Sequence, residues 1–177
     1  MLRRTNAEQA KQVYEKLIAG YPHPNAISRA CDKDLAAIME PLGLRWRIKP
    51  FCSMVRELET RYESVVPDKR EELKKLPGVG DYVAGAVLSI AFNKKEWIVD
   101  SNVVRVFKRY FDLKTSKEGR RDRHIIAIAK IYASTKNPRD ANLAILDFAA
   151  LVCTPRNPNH GECPLRKKCN FTDRQVA

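Results

Sequence analysis

The sequence predicts an all-α fold. Apolar residues recur three or four positions apart in nearly every segment, and no stretch alternates apolar and polar residues for long enough to form a sheet. No run of 18 uncharged apolar residues occurs, which excludes a transmembrane helix. No apolar segment follows the basic residues at the N-terminus, so we expect no secretory signal. With 177 residues, of which 44% are hydrophobic, the chain can bury one good core or two small ones.

Helix-terminating residues and apolar stripes set the limits of the predicted helices. Gly20 ends the first stripe, and Pro41 with Gly43 closes the third. In the fourth and longest helix, apolar residues from Ile48 to Val65 step by three or four positions. The predicted ranges are 6–19, 25–30, 33–39, 48–65, 68–76, 81–92, 101–111, 121–134 and 139–152, followed by an irregular, proline-rich tail.

A glycine-rich hairpin, LPGVG, joins the helices predicted over 68–76 and 81–92. Gly78 and Gly80 lack a Cβ, so the backbone can adopt positive φ and approach a ligand closely. The next helix begins at once, and its free N–H groups suit a phosphate without reading base sequence. The alternative is an ordinary helix–helix turn, in which the glycines serve only the turn geometry.

The charge balance favours the phosphate-binding interpretation. The chain has 33 Lys and Arg against 21 Asp and Glu, and this net charge of +12 predicts a polyanionic partner, nucleic acid first. The excess is +3 in residues 1–100 (17 basic, 14 acidic) and +9 in residues 101–177 (16 basic, 7 acidic), so the basic surface is mostly C-terminal. Three of the five cysteines lie between positions 153 and 169, which favours metal ligation over disulfides in a chain without an export signal.

The chain resembles the helix-hairpin-helix DNA glycosylase superfamily in four segments: ELKKLPGVGDYVAGAVLSIAF, IVDSNVVRVFKRYF, NLAILDFAALVCTP and CPLRKKC. The resemblance covers residues 2–171 and is closer to archaeal mismatch thymine glycosylases and adenine glycosylases than to endonuclease III. It implies a helical-barrel domain bearing the hairpin over residues 1–115 and a smaller metal-cluster domain over 116–177. It also implies a monomeric, cytoplasmic, nucleoid-associated enzyme of prokaryotic type, acting on double-stranded DNA with a mismatched or damaged base.

The implied reaction is base excision repair by hydrolysis of the N-glycosidic bond of thymine or uracil opposite guanine. Two other interpretations stay open: an adenine glycosylase acting opposite 8-oxoguanine, and a catalytically silent helix-hairpin-helix DNA-binding protein. Adenine glycosylases keep a glutamate just ahead of the segment that matches MLRRT, where it protonates the leaving purine, and this sequence has no such residue. Since thymine and uracil can leave as anions, we expect a pyrimidine substrate.

Asp100 and Tyr82 are the candidate catalytic residues. Breaking the bond builds positive charge on the deoxyribose, which a fixed carboxylate stabilises, and the resemblance implies Asp100 in that role. Asp100 also precedes SNVVRV as a candidate helix cap, and the two roles can coexist. Bifunctional relatives carry a nucleophilic lysine at the position of Tyr82, and no lysine lies within 81–92, so we expect no lyase activity. The tyrosine ring would pack on the flipped base or sugar, or else in the core.

Two loops are expected to enter the duplex when the target base is flipped out. The resemblance implies the start of the chain, with Arg4 as the wedge, and the turn before the longest helix. In that turn, a tryptophan among basic residues suits stacking combined with phosphate contact, and the alternative is that Trp46 anchors the start of the helix. The predicted DNA-binding residues are Arg3, Arg4, Leu44, Arg45, Trp46, Arg47, Gly78, Val79 and Gly80.

The cysteine tail departs from the family pattern at one position. The family motif Cys-x6-Cys-x2-Cys-x5-Cys holds a [4Fe-4S] cluster, whereas this sequence supplies Cys153, His160, Cys163 and Cys169 at those spacings. The resemblance implies an iron–sulfur cluster with one unusual ligand. A degraded cluster, a structural zinc of the Cys3His type, and a tail without metal in which His160 is a plain loop residue stay open.

Overall fold

A computed structural model describes residues 7–30, 32–43, 45–115 and 118–172 of the chain. All regular secondary structure in these ranges is helical, which confirms the all-α prediction. None of the described helices is long and apolar enough to cross a membrane. The chain forms two compact units, Met1–Val79 and Gly80–Ala177. The domain boundary near residue 115 stays a prediction.

The first unit is built around the longest helix of the described ranges. Val13 on the first helix packs with Met39 on the third, and Leu17 packs with Leu35 and Cys52. These buried side chains follow the helical spacing seen in the sequence. The helices of this unit are α1 (Ala7–Gly20), α2 (Pro24–Arg29), α3 (Asp32–Met39), α4 (Ile48–Tyr62) and α5 (Arg70–Lys75), with 3-10 turns at Glu40–Leu42 and Arg45–Arg47.

Helix α4 ends three residues before the predicted end. Glu63 (φ 51°) and Ser64 (φ 64°) adopt left-handed backbone conformations, and the Ser64 N–H donates to Leu58 O at 2.9 Å. This closes the helix, so Val65, which the apolar stripe placed on its buried face, is 68% exposed. The predicted end was too late because the apolar spacing in the sequence continues to Val65. That spacing does not indicate a left-handed helix cap, and this cap is formed by residues other than glycine.

The second unit has its core between three helices. Val103 and Phe107 pack against Ile125 and Ile145, and Ala149 lies in the same buried cluster. The first helix of this unit runs directly into a π-helical turn, and the two together form one continuous helical segment. The helix predicted over 81–92 is therefore confirmed. The elements are α6 (Asp81–Ala86) with a π-helical turn at Val87–Ala91, α7 (Ser101–Phe111), a 3-10 turn at Gly119–Arg121, α8 (Arg123–Ala133), α9 (Pro138–Leu151) and a 3-10 turn at Arg166–Lys168.

The π-helical turn and the extended segment that follows it are both fastened to α9. The Arg139 guanidinium donates to Ile90 O at 2.6 Å and to Ala91 O at 3.2 Å, where the helix leaves its last carbonyls unpaired. The buried Asn142 amide donates to Glu96 O at 2.9 Å. These contacts fix the path of the chain that leads to Asp100.

Candidate active site

Asp100 lies at the N-cap of α7 with its carboxylate held by three donors. Its Oδ1 accepts the N–H groups of Asn102 (2.9 Å) and Val103 (2.8 Å), and its Oδ2 accepts from Asn102 Nδ2 (3.0 Å). The preceding Ile98 and Val99 are buried, which places the half-buried Asp100 where the core meets the surface. The capping interpretation is therefore confirmed, and Oδ2 keeps a lone pair that the cap does not use.

Hydrogen bonds connect Asp100 to the cysteine tail. Asn102, which donates to the aspartate, accepts from Arg105 Nη1 at 2.8 Å. Arg105 then donates through Nε to Cys153 O at 2.8 Å and through Nη2 to Ala149 O at 2.7 Å. Ala149 O lies in the last turn of α9, where carbonyls lack helical partners, so Arg105 also caps that helix. The orientation of Asp100 is thus supported from the point where the metal-binding segment begins.

A second arginine, one turn further along α7, holds the cysteine tail itself. Arg109 Nη1 donates to Thr154 O at 2.7 Å and lies 3.4 Å from Cys153 Sγ, and Nη2 donates to Pro155 O at 2.8 Å. Its guanidinium lies over the Phe171 ring, 4.5 Å from the centroid. Sequence reasoning missed Asn102, Arg105, Arg109 and Phe171. The available signal was the presence of polar residues at helical spacing on a helix whose other side is apolar.

The four predicted metal ligands line one cavity. Cys153, His160, Cys163 and Cys169 all face it, and its other walls are mainly apolar. His160 Nε2 is buried and lacks a hydrogen-bond partner among the described residues. No three His, Cys, Asp or Glu side chains of the described ranges converge closely enough for one metal ion. Three thiols and one imidazole nitrogen are donors that fit an iron–sulfur cluster, and all four line this one cavity.

Tyr82 occupies the first turn of α6 and is half-buried. It belongs to the same compact unit as Asp100 and the cysteine tail. No lysine lies on α6 or in the π-helical turn that follows it. Its contact with a base or sugar stays a prediction.

The two hairpin glycines differ in conformation. Gly78 has φ +76°, and a Cβ at this position would lie 3.1 Å from Pro50 Cβ, so the turn requires glycine there. Gly80 has φ −103°, at the N-cap of α6, and nothing lies within 4 Å of a Cβ built on it. Gly78 thus uses the positive φ that glycine permits, whereas Gly80 does not, because the backbone is already extended where it enters α6. At Gly80, the missing side chain leaves open space before the first amides of α6.

The helix before the hairpin is attached to the end of α4. Tyr62 Oη donates to Glu72 Oε2 at 2.9 Å, and Lys75 Nζ donates to Glu72 Oε1 at 2.7 Å. The hydrogen bond from Lys75 lowers the pKa of Glu72, and the hydrogen bond to Glu72 raises the pKa of Tyr62. These contacts are solvent-accessible, so we assign them an orienting role for α5 rather than a large share of stability.

The turn before α4 presents an aromatic ring to solvent. Trp46 is 65% exposed, and the Arg47 guanidinium carbon lies 5.3 Å from its ring centroid. This exposure is that of a surface ring rather than of a buried helix anchor. Arg3, Arg4 and Leu44 lie outside the described residues, as does the side chain of Arg45, so their roles stay predictions.

Comparisons with known proteins agree with these features. The helix-hairpin-helix motif matches residues 61–90, and the iron-sulfur binding domain of endonuclease III matches residues 153–169. The thymine-DNA glycosylase of Aeropyrum pernix is 34% identical over 176 residues, which cover 97% of this chain and 78% of that protein. The thymine/uracil-DNA glycosylase of Pyrobaculum aerophilum is 36% identical over 93% of this chain and 74% of its own length. A solved thermostable thymine-DNA glycosylase superposes with a TM-score of 0.91 at 32% identity, covering 98% of this chain and 80% of that one.

Proposed function

The chain belongs to the helix-hairpin-helix DNA glycosylases, and from this premise we propose that it hydrolyses the N-glycosidic bond of thymine or uracil opposite guanine. The thymine-DNA and thymine/uracil-DNA glycosylases that it is similar to match over nearly the whole of this chain. The net charge of +12 supports double-stranded DNA as the partner. We expect the protein to act as a monomer in the cytoplasm.

The hydrogen-bonded carboxylate of Asp100 is the observation that carries the proposal. Departure of the base as an anion leaves positive charge on the deoxyribose, and a negative group fixed beforehand stabilises that charge without reorganising. Three donors fix Asp100 in this way. The lone pair that remains on Oδ2 can orient the water that adds to the sugar carbon.

Tyr82 supports hydrolysis rather than strand cleavage. A lyase step needs an amine that attacks the sugar and forms a Schiff base, and a phenol cannot do so. In the proposed reaction the ring of Tyr82 packs on the flipped base or its sugar, and the product is an intact abasic site.

Two features support sequence-independent binding of the duplex. The open space before the amides of α6 at Gly80 suits a phosphate oxygen, since helix N-termini carry free N–H groups and partial positive charge. Trp46 beside Arg47 suits stacking at the site from which the base is removed.

We propose a [4Fe-4S] cluster as the resident cofactor, with Cys153, Cys163 and Cys169 among its ligands. When bound, it supplies a metal centre that orders a tail with little apolar content of its own. This chain's own residues would fasten the first ligand, because Arg105 and Arg109 hold the backbone from Cys153 to Pro155.

The proposal is tested by base release from a panel of duplexes. Wild-type protein, at excess over DNA, is incubated with G·T, G·U and 8-oxoguanine·A duplexes, and strand breakage is scored before and after alkali. We expect release from G·T and G·U, breakage only after alkali, and no covalent complex trapped by borohydride.

Other outcomes would each identify a rival function. Release only from 8-oxoguanine·A identifies an adenine glycosylase. Tight binding without release from any duplex identifies a silent DNA-binding protein. A borohydride-trapped complex means that an amine elsewhere in the chain attacks the sugar, and the hydrolytic mechanism is then wrong.

A further inference from the structure

The position where the family motif has its second cysteine is filled by a side chain with an unused nitrogen. His160 Nε2 is buried and has no hydrogen-bond partner in the part of the chain that the structure describes. A buried polar atom without a partner is costly, so this nitrogen points to a partner outside the described residues. We infer that His160 Nε2 is the fourth ligand of the iron–sulfur cluster, completing a Cys3His set with Cys153, Cys163 and Cys169. This inference rests on the cluster in the proposed function.

The other ring nitrogen has an oxygen partner that suits the tautomer a ligand needs. Nδ1 of His160 lies 3.3 Å from Thr172 Oγ1. When Nδ1–H donates to this hydroxyl, Nε2 carries the lone pair and faces the cavity. Metal-binding histidines commonly have such an oxygen partner, which fixes the ring and raises its basicity. Thr172 therefore acts as a positioning residue.

The plane of the ring is fixed by a second contact. His160 stacks on Phe171 with centroids 6.0 Å apart and an interplanar angle of 20°. Arg109 holds Phe171 by its guanidinium, and the same guanidinium contacts Cys153 Sγ. The histidine ring and the first cysteine are thus oriented by one arginine, which is the arrangement expected for two ligands of one centre.

The four donors share one cavity and come from neighbouring parts of the tail. All four line the same cavity, yet no three described side chains of suitable type converge on a point where one ion would sit. His160 and Cys163 are linked by a turn in which Cys163 N–H donates to His160 O at 3.4 Å, so the two side chains leave the same short loop. A [4Fe-4S] cluster takes four protein ligands, which is the number of donors that this cavity offers.

A neutral imidazole in place of a thiolate changes the charge of the centre. The ligand set contributes three negative charges instead of four, and the bound cluster is one unit more positive. Histidine ligation raises the reduction potential of iron–sulfur centres for this reason. The wild-type protein should therefore have a more positive cluster potential than the His160→Cys variant, in which the four-cysteine set is restored.

Nitrogen hyperfine spectroscopy on the full chain tests the ligand directly. The protein is reconstituted anaerobically with ferrous iron and sulfide and brought to a paramagnetic oxidation state. Pulsed EPR should show a strongly coupled ¹⁴N, which changes to ¹⁵N when the histidines are isotopically labelled. The coupling should be absent from His160→Cys at unchanged iron content, with the potential shifted downwards. His124→Asn, a change at an exposed histidine of α8, should leave both signals as in the wild type.

Retention of iron tests the positioning residue. Thr172→Val removes the hydroxyl at nearly constant volume, and we expect iron loss to a chelator to be about tenfold faster, in keeping with the effect of outer partners on metal affinity. His160→Ala should lose iron faster still. Wild-type retention in both variants would contradict the inference.

The outcomes separate the ligand from the function. A fully loaded wild type without nitrogen coupling overturns the assignment of His160, even if thymine is released normally. A coupled nitrogen in a protein that releases no base from any duplex leaves the ligand in place and refutes the proposed function. A wild type that takes up zinc but no iron overturns the inference as well.

Discussion

The start of α7 and the turn before α4 hold their key side chains in opposite ways. Asp100 is half-buried and receives three hydrogen bonds, and its neighbour Asn102 is supported in turn by Arg105. Trp46 is 65% exposed and has a cation–π contact with Arg47. A group that stabilises developing charge must be fixed before the substrate arrives, whereas a side chain that enters DNA must project from the protein. The fixed carboxylate should therefore govern rate, and the exposed ring should govern affinity.

Asp100→Asn gives the largest effect expected from this comparison. The substitution keeps the shape and one acceptor oxygen but removes the negative charge, so single-turnover base release should fall about 100-fold or more. Binding of DNA should stay near the wild-type level. Quench-flow or gel assays on a G·U duplex measure the rate of base release, and fluorescence anisotropy measures DNA binding.

A matched control separates catalysis from capping. Asp122 is also an N-cap, at the start of α8, and its Oδ1 accepts the N–H groups of His124 and Ile125. Asp122→Asn makes the same chemical change at a cap without a proposed role at the sugar. If both variants lose rate equally, Asp100 acts through helix stability, and the electrostatic assignment is wrong.

Arg105→Met tests whether Arg105 on α7 holds the surroundings of Asp100 in place. The variant leaves Ala149 O and Cys153 O without their donor and removes the partner of Asn102. Because charged hydrogen bonds of a half-buried group are lost, we expect the free energy of unfolding to fall by about 2–3 kcal/mol, with faster loss of iron. Lys108→Met, an exposed change on the same helix, should cost less than about 0.5 kcal/mol. Urea unfolding measures the free energy of unfolding of both variants, and equal losses would show that Arg105 has no special role.

Trp46→Ala tests whether the exposed ring in the turn before α4 contributes to DNA affinity. Loss of one stacking ring should weaken DNA binding by about 1–2 kcal/mol, which raises Kd roughly 5- to 30-fold, while the rate at saturating protein changes less. Tyr14→Ala provides a comparison, because Tyr14 is also an exposed aromatic of the first unit, at 56%, and has no proposed DNA contact. Equal losses of affinity in the two variants would show that Trp46 has no specific role at the duplex.

Local sequence signals predicted the parts of the protein that local physics decides. Helical spacing of apolar residues located every described α-helix, and Asp100 caps α7 as its position before SNVVRV suggested. The resemblance to the family's cluster motif grouped Cys153, His160, Cys163 and Cys169, and all four line one cavity. These features depend on residues close together in the chain, which is why a single sequence contains them.

Contacts between distant segments could not be predicted in the same way. Arg105 and Cys153 are 48 positions apart, and nothing in the spacing of either residue identifies the other as its partner. The same is true of Arg109 over Phe171. The sequence could not show which hairpin glycine adopts positive φ, because glycine permits that conformation without requiring it, and the path of the backbone into α6 decides at Gly80.

The two glycines of the hairpin can be compared in the same way, and substitution of Gly80 should have the smallest effect on DNA affinity. Gly80→Ala adds a methyl group where the protein has open space and the backbone is extended, so stability should be unchanged or slightly higher. If a phosphate approaches the amides of α6 through that space, the methyl group displaces it, and the loss of about one hydrogen bond, roughly 1 kcal/mol, should raise Kd about fivefold. Gly78→Ala should behave in the opposite way, since its φ of +76° and the 3.1 Å approach to Pro50 Cβ make the substitution destabilising by about 1–2 kcal/mol before DNA is present. Thermal unfolding and salt-titrated anisotropy measure the two quantities separately. Unchanged affinity in Gly80→Ala at every salt concentration would mean that no phosphate reaches this end of α6, and that the hairpin is only a turn.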